Sequence, residues 1–314
     1  MRNLLRSAAL AAAAALSLAA TAEPPAFEPE SIVRRVDRVS LVALVQVGGR
    51  LVTAGERGRI LVSDDAGVSW KVAATPTHHA LTSLYFSDPK TGFATGHQGV
   101  LLRTEDGGLS WSQAQVAMTE TAALFAVRVQ GERGIAVGAY GAYLESSDAG
   151  RSWKSRRIMA ADFDRHLTGI AVAAQGRMLL AGEAGTLLVS ADTGATWQAV
   201  RSPYDGSFFG AIGLRNGAVI AFGMRGNAFR SADGGKTWQR VDLGAYKGAL
   251  QGATELFDGM VVLTGADGLV ATSRDGGVSF STHAIASRVA VAAVVQVTGG
   301  RWLAASPSGL RWAD

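Results

Sequence analysis

Carboxylate and histidine side chains are the residues of this sequence best suited to hydrolytic or metal chemistry. A glycosidase needs two carboxyl groups about 5 to 10 Å apart. The loop carboxylates that could form such a pair are Asp162, Asp164, Glu183, Asp205 and Asp267. His78, His79 and His97 could bind zinc, but adjacent histidines rarely point at one metal and the chain has no cysteine. Because no spacing selects a carboxylate pair or completes a metal site, we expect no catalytic residue, metal or cofactor.

A short turn motif recurs along the chain and indicates what would position these side chains. Its first copy spans Ser63 to Trp70. The aligned aspartates are Asp65, Asp106, Asp148, Asp192, Asp233 and Asp275. The copies end in the aromatic residues Trp70, Trp111, Trp153, Trp197, Trp238 and Phe280. A repeat of about 42 residues predicts an array of like units that bury their apolar faces by stacking.

Each repeat contains four short segments of β-forming residues separated by glycine and aspartate turns, which predicts a four-stranded propeller blade. In the second repeat the predicted strands are Leu81 to Phe86, Gly92 to Gly96, Gly99 to Thr104 and Ser110 to Val116. Between the second and third strands lies a Gly-x-x-Gly turn, whose glycines are expected to adopt positive φ. Its copies begin at Gly55, Gly96, Gly138, Gly182, Gly223 and Gly265.

The second glycine of this turn recurs once more at Gly309, which gives a seventh unit. That unit has only three predicted strands, so we expect the segment from Phe27 to Arg38 to pair with it and close the ring. The predicted fold is therefore all-β: a seven-bladed β-propeller with four-stranded blades, closed by an N-terminal strand. Residues 23–314 form one domain in this interpretation, and we expect a monomer.

The first residues have the pattern of a secretory signal peptide. Arg2 and Arg6 precede or flank an apolar run, and small residues lead to a predicted cleavage after Ala22. No later apolar stretch is long enough to span a bilayer, so we expect residues 1–22 to be removed and the rest to be soluble after export. Without the two leader arginines the formal charge of +4 falls to about +2, and no basic stripe indicates nucleic-acid binding.

The repeated aspartate and tryptophan are interpreted as fold determinants, because the aspartate can accept hydrogen bonds within its turn and the tryptophan supplies buried area. These turns resemble the Asp-box, also called the bacterial neuraminidase repeat. The wider unit, Gly-x-x-Gly followed by Ser-x-Asp-Gly-Gly-x-Ser/Thr-Trp as in Gly223 to Trp238, resembles the photosystem II stability/assembly factor family of seven-bladed propellers. The resemblance covers about residues 27 to 314. It implies a lumenal or periplasmic protein that binds membrane subunits during assembly.

Strand alternation predicts that the Gly-x-x-Gly turns and the connections between blades share one face, called here the top face, and that the Asp-box turns share the other. Residues between the repeated glycines vary, as expected of a binding surface on a fixed scaffold. Arginine and aromatic side chains are favoured at interfaces. The predicted partner-binding residues are Arg57, His97, Tyr140, Arg165, Tyr204, Phe208, Phe209, Arg225 and Lys247.

Three functions remain open from the sequence. The first is a non-enzymatic assembly or accessory factor that binds a protein of a membrane-associated complex. The second is a sialidase-like Asp-box glycoside hydrolase, although the chain lacks the Phe/Tyr-Arg-Ile/Leu-Pro motif of sialidases and has seven units rather than six. The third is a carbohydrate-binding propeller without chemistry. The full-length resemblance favours the first.

Overall fold

The fold is that of a computed structural model that describes residues 36–118, 121–160, 162–297 and 299–313. Within these residues, seven β-sheets are arranged as the blades of a propeller, which confirms the all-β, seven-bladed prediction. Each blade is an antiparallel meander whose first strand lines a central channel and whose last strand lies outermost. The predicted leader, residues 1–22, lies outside the described residues.

The strands follow the repeat closely. Blades 1 and 2 contain β1 (Leu41–Val47), β2 (Arg50–Gly55), β3 (Ile60–Ser63), β4 (Lys71–Val72), β5 (Leu81–Phe86), β6 (Gly92–Gly96), β7 (Leu101–Thr104) and β8 (Ser112–Gln113). Blade 3 contains β10 (Leu124–Gln130), β11 (Arg133–Gly138), β12 (Tyr143–Ser146) and β13 (Ser152–Ser155), joined at its edge by β9 (Gln115–Ala117). Blade 4 contains β14 (Leu167–Val172), β15 (Met178–Gly182), β16 (Leu187–Ser190) and β17 (Gln198–Ala199).

Blades 5 to 7 complete the ring. They contain β18 (Phe208–Gly213), β19 (Val219–Gly223), β20 (Ala228–Ser231), β21 (Gln239–Arg240), β22 (Leu250–Glu255), β23 (Val261–Gly265), β24 (Leu269–Ser273), β25 (Ser281–Ala284), β26 (Ala293–Gln296), β27 (Trp302–Ser306) and β28 (Gly309–Trp312). The described 3-10 turns are Val36–Arg38, Glu56–Gly58, His97–Gly99, Ala139–Gly141, Ala174–Gly176, Met224–Gly226 and Ala266–Gly268.

The predicted fourth strand of the second repeat, Ser110 to Val116, is divided in the structure. Its first part is β8, which pairs with β7 in blade 2. The chain then leaves this blade, and β9 pairs in parallel with β13, the outermost strand of blade 3. The connection to the next blade must cross the neighbouring outer edge, where its backbone covers hydrogen-bonding groups that would otherwise face water.

Buried apolar clusters between neighbouring blades hold the ring together. Trp111 packs with Val52 and Ile60 of blade 1, so the Asp-box aromatic of one blade is buried against the blade before it. In the next interface the rings of Trp153 and Phe93 meet edge to face, with centroids 6.3 Å apart. Every blade pair of the described ring has such a cluster, as the stacking of repeats requires.

The seam between blades 7 and 1 is closed by packing. Trp70, which is 1% exposed, shares a cluster with Leu303 and Leu310 of blade 7. The predicted closing strand, Phe27 to Arg38, is not confirmed, since residues 27–35 lie outside the described part of the chain. The part that is described, Val36–Arg38, is a 3-10 turn beside β28, where the Arg311 guanidinium donates to the Asp37 carbonyl over 3.1 Å.

Candidate functional site

The Gly-x-x-Gly turns of the top face share one backbone geometry. The residue before the second glycine adopts the left-handed region, with φ of 55° at Arg57, 54° at Tyr140 and 56° at Arg225. The second glycine also has positive φ, as predicted, for example 67° at Gly58. This conformation costs a non-glycine residue about 1 kcal/mol. Its recurrence shows that the surrounding blade imposes it, so side chains of different chemistry are projected from equivalent places.

The first glycine of the turn is required for a different reason than the sequence predicted. Gly55 has φ of −175°, which any residue adopts. A Cβ atom there would lie 2.0 Å from the carbonyl oxygen of Ser40, and one at Gly138 would lie 1.9 Å from that of Ala123. The backbone of the incoming inner strand therefore passes too close for a side chain. The prediction of positive φ at this position is wrong. Glycine is required here because the neighbouring backbone leaves no room for a Cβ atom.

Most of the predicted partner-binding residues are exposed on the top face. Those whose side chains reach solvent freely are Arg57, His97, Tyr140, Arg165, Phe209, Arg225 and Lys247. Tyr140 is the most exposed aromatic of the set at 71%, and Phe209 is 40% exposed. No ion pair of the described residues involves Arg57, Arg225 or Lys247, which leaves these cations available to a partner.

Two of the predicted residues pack at the interface between blades 4 and 5 instead. Phe208 is 0% exposed and packs between blades 4 and 5, so the prediction that it contacts a partner is wrong. It alternates along β18 with Phe209, and only one of the two can face outward. Tyr204 is partly buried, with its ring stacked on Phe229 at 6.0 Å and met edge-on by Phe208. Tyr204 therefore supports the interface between blades more than it presents a contact.

Side chains from blades 3 and 4 form a connected cluster on the top face. The Tyr140 ring meets His166 edge-on at 4.9 Å, and Phe125 lies 5.7 Å from the same imidazole. The Nδ1 atom of His166 accepts the backbone N–H of Tyr140 over 3.2 Å. The backbone N–H of His166 donates to the Glu183 carboxylate over 2.9 Å. This cluster joins two blades and holds Tyr140 in an outward-facing position.

The carboxylates considered for catalysis do not form a buried pair. Asp162, Asp164, Asp205 and Asp267 are exposed to solvent, and Glu183 accepts the backbone N–H of His166. A glycosidase acid needs an apolar environment to stay protonated. Among the residues that the structure describes, no three His, Cys, Asp or Glu side chains lie close enough together to hold a metal ion.

The Asp-box turns on the opposite face are closed by their own hydrogen bonds. Ser69 donates to Asp65 through its backbone N–H, 2.9 Å from Oδ1, and through its hydroxyl, 2.5 Å from Oδ2. Ser63 donates its hydroxyl to Asp65 over 2.7 Å and accepts the N–H of Gly67. The equivalent bonds recur in the other described copies. The aspartates are thus occupied within their turns.

These bonds make the stability of the turn depend on pH. Hydrogen bonds from the Ser69 hydroxyl and N–H lower the pKa of Asp65 to about 2. Since the unfolded value is about 3.9, the contribution of Asp65 is complete above about pH 4 and is lost as the pH falls toward 2. We expect Asp65→Asn to melt at a lower temperature than the wild type near pH 7, because the amide nitrogen cannot accept the Ser69 hydroxyl.

Thermal melts of both proteins between about pH 7 and pH 2 test this expectation. The difference in melting temperature between Asp65→Asn and the wild type should shrink as the pH falls. Asp205→Asn, at an exposed loop position, is the matched control and should track the wild type at every pH. A difference for Asp65→Asn that stays constant down to pH 2 would contradict the assignment.

One charged residue of the channel was missed by the sequence reasoning. Arg128 lies on β10, and its guanidinium stands 4.9 Å from the centre of the Tyr85 ring on β5. The sequence signal that could have identified Arg128 is a charged residue within an otherwise apolar inner strand.

In the described part of the chain, no helix is long and apolar enough to cross a membrane.

Comparisons with known proteins agree with this architecture. A sequence profile described as photosynthesis system II assembly factor YCF48 matches residues 62–231, more than half of the chain, and a BNR/Asp-box repeat profile matches residues 229–240. No curated protein matches the sequence significantly.

Solved structures resemble most of the chain at low identity. A YCF48 structure bound to D1 peptide has 14% identity and a TM-score of 0.68, covering 92% of this chain and 98% of its own. YCF48 from Cyanidioschyzon merolae has 15% identity and a TM-score of 0.66, covering 86% and 94%. Streptogramin B lyase, with 9% identity and a TM-score of 0.74 over 87% and 93%, shows that the fold itself does not separate binders from enzymes. The profile match over residues 62–231 shows the family: the chain belongs to the family of the photosynthesis system II assembly factor YCF48.

Proposed function

We propose that this protein is an exported, non-enzymatic propeller that binds a protein segment of a membrane-associated complex and assists its assembly. The observation that carries the proposal is the family membership, together with a relative described as bound to D1 peptide. The bound relative supports a peptide or protein as the ligand class. The predicted leader supports action in the periplasm, or in the thylakoid lumen of a photosynthetic cell.

The top face supplies the chemistry that such binding needs. Arg57 and Arg225 project from equivalent turns with exposed guanidinium groups, and Phe209 exposes an aromatic ring on β18. Arginine and aromatic side chains supply much of the binding energy of protein interfaces. The Asp-box face lacks this freedom, because its aspartates are committed to their own turns.

A capture experiment tests the proposed face. Tagged wild-type protein and the triple variant Arg57→Ala, Arg225→Ala, Phe209→Ala would be used to recover partners from solubilised envelope membranes, followed by quantitative mass spectrometry. Loss of one interface anchor costs about 2 kcal/mol, which is about 30-fold in affinity. We therefore expect the triple variant to lose the membrane proteins that the wild type enriches.

The matched control changes the opposite face. Val68 is 82% exposed at an Asp-box tip, and Arg151 and Lys236 are exposed in equivalent turns. Their triple alanine variant removes two positive charges and one apolar side chain, as the top-face variant does, and should recover the same partners as the wild type. Equal recovery by the wild type and the top-face variant would place the contact elsewhere.

A further inference from the structure

The central channel is a second place where a ligand could bind, apart from the top face. The seven inner strands enclose a cavity of about 930 Å³. Its walls are more apolar than polar, and a small residue stands at one equivalent position of each inner strand. These residues are Ala43, Ser83, Ala126, Gly169, Gly210, Gly252 and Ala293. A concave, largely apolar cavity of about 300 to 1,000 Å³ is the usual size of a small-molecule site.

Arg128 places a positive charge in this cavity. It lies near the Asp-box end of β10, and its side chain is partly buried. The guanidinium covers the Tyr85 ring at 4.9 Å, and one of its nitrogens donates to the Val127 carbonyl over 2.8 Å. The Tyr85 hydroxyl donates to the Val129 carbonyl over 2.8 Å, which fixes the ring beneath the charge. The guanidinium has five N–H donors, so most of them can still face the cavity.

No carboxylate in the described residues neutralises Arg128. The inner strands carry one acid, Glu255, and it is engaged by Arg215 on the neighbouring blade. The Glu255 carboxylate pairs with Arg215 Nε at 3.2 Å and accepts its backbone N–H at 2.8 Å. Burial lowers the pKa of Arg128, which reflects the loss of water around its charge. A partly buried charge without an opposite charge beside it is costly to a fold, and a bound anion would offset that cost.

We propose that the channel binds a small organic carboxylate, whose anionic end pairs with Arg128 and whose apolar body packs along the inner strands. The planar guanidinium matches a carboxylate through two parallel hydrogen bonds. At the same level of the channel, three other blades contribute Val45, Ile212 and Val295, which suit a hydrocarbon or aromatic body, and β22 contributes the polar Thr254. This site differs from the top face in residues and in ligand class, and it does not depend on the proposed function.

Isothermal titration of the full mature chain with 4-phenylbutyrate tests the site. The same titration with 4-phenylbutyramide, which has the same body without the charge, needs no variant protein. We expect the carboxylate to bind with at least a tenfold lower Kd than the amide. Arg128→Met should weaken 4-phenylbutyrate binding at least tenfold and leave amide binding unchanged. Arg240→Met, at an exposed position on β21, should bind as the wild type does.

Three results would overturn the proposal. They are equal affinity of the wild type for acid and amide, undiminished binding of the acid by a folded Arg128→Met protein, and no binding by the wild type at millimolar concentrations. If Arg128→Met does not fold, Arg128→Lys replaces it, because lysine keeps the positive charge but cannot make two parallel hydrogen bonds. Arg128→Lys should bind 4-phenylbutyrate more weakly than the wild type does, but more strongly than the wild type binds 4-phenylbutyramide. Membrane-partner capture by the top-face variant is measured separately, so the two proposals can fail independently.

Discussion

Replacing Trp70 with alanine is expected to lower the free energy of unfolding by about 3 to 5 kcal/mol, the usual cost of removing a large buried aromatic side chain. Trp70 is 1% exposed at the seam between blades 1 and 7. There it packs with Leu303 and Leu310 of the last blade, and its indole N–H donates to the Gly67 carbonyl over 3.2 Å. Alanine would leave a cavity between the sheets of blades 1 and 7.

Chemical denaturation followed by tryptophan fluorescence or circular dichroism measures this loss, and hydrogen exchange locates it. We expect protection to fall first in β1 and in β26 to β28, because these strands flank the seam. Trp153→Ala is the matched control, since Trp153 is 3% exposed at the interface between blades 2 and 3. It should cost a similar free energy without selective opening of the seam. A loss below about 1 kcal/mol for Trp70→Ala would contradict closure by packing.

Most of the fold could be predicted from the sequence because each blade repeats the same local signals. The spacing of Asp65, Asp106 and their equivalents gives the length of the repeat, and Gly309 indicates that there are seven blades. Strands β5 and β6 begin and end at the residues predicted for them. Such agreement is expected where every turn requires particular residues, since the turn chemistry and the strand pattern then specify the same boundaries.

The sequence did not predict features that depend on contacts between blades. The parallel pairing of β9 with β13 depends on where the neighbouring outer edge lies, which no local pattern of Ser110 to Val116 encodes. Phe208 is buried and Phe209 is exposed because of the register of β18, and a shift of that register by one residue would exchange the faces of the two side chains. The pairing of Arg128 with Tyr85 joins strands 43 residues apart, and only the ring brings them together.

The exposure of the top-face turns was predicted for the same reason. The topology of alternating strands correctly placed Arg57, Tyr140 and Arg225 at exposed turns of one face. The cluster that orients Tyr140 through His166 required the relative placement of blades 3 and 4, which composition does not supply. Repetition therefore identifies the positions that can vary, while contacts between repeats decide which side chains are held in place.

The inner strands of blades 4 and 5 approach each other so closely that a side chain added between them should destabilise the fold strongly. A Cβ atom at Gly213 would lie 1.7 Å from the carbonyl oxygen of Val172. One at Gly169 would lie 2.6 Å from the backbone nitrogen of Ala211, so β14 and β18 approach along much of their length. Because the obstructing atoms are backbone, no side-chain rotation can relieve the clash at Gly213.

Gly213→Ala is therefore expected to lower the free energy of unfolding by about 3 kcal/mol, the upper end of the usual cost of overpacking, by forcing β14 and β18 apart. Denaturant unfolding of the purified variant measures the change. Gly49→Ala makes the same chemical substitution where no atom lies within 4 Å of the new Cβ, and it should shift stability by less than about 1 kcal/mol. Unfolding of Gly213→Ala and Gly49→Ala at the same denaturant concentration would contradict this prediction. It would mean that β14 and β18 lie far enough apart in solution to accommodate a Cβ atom at Gly213.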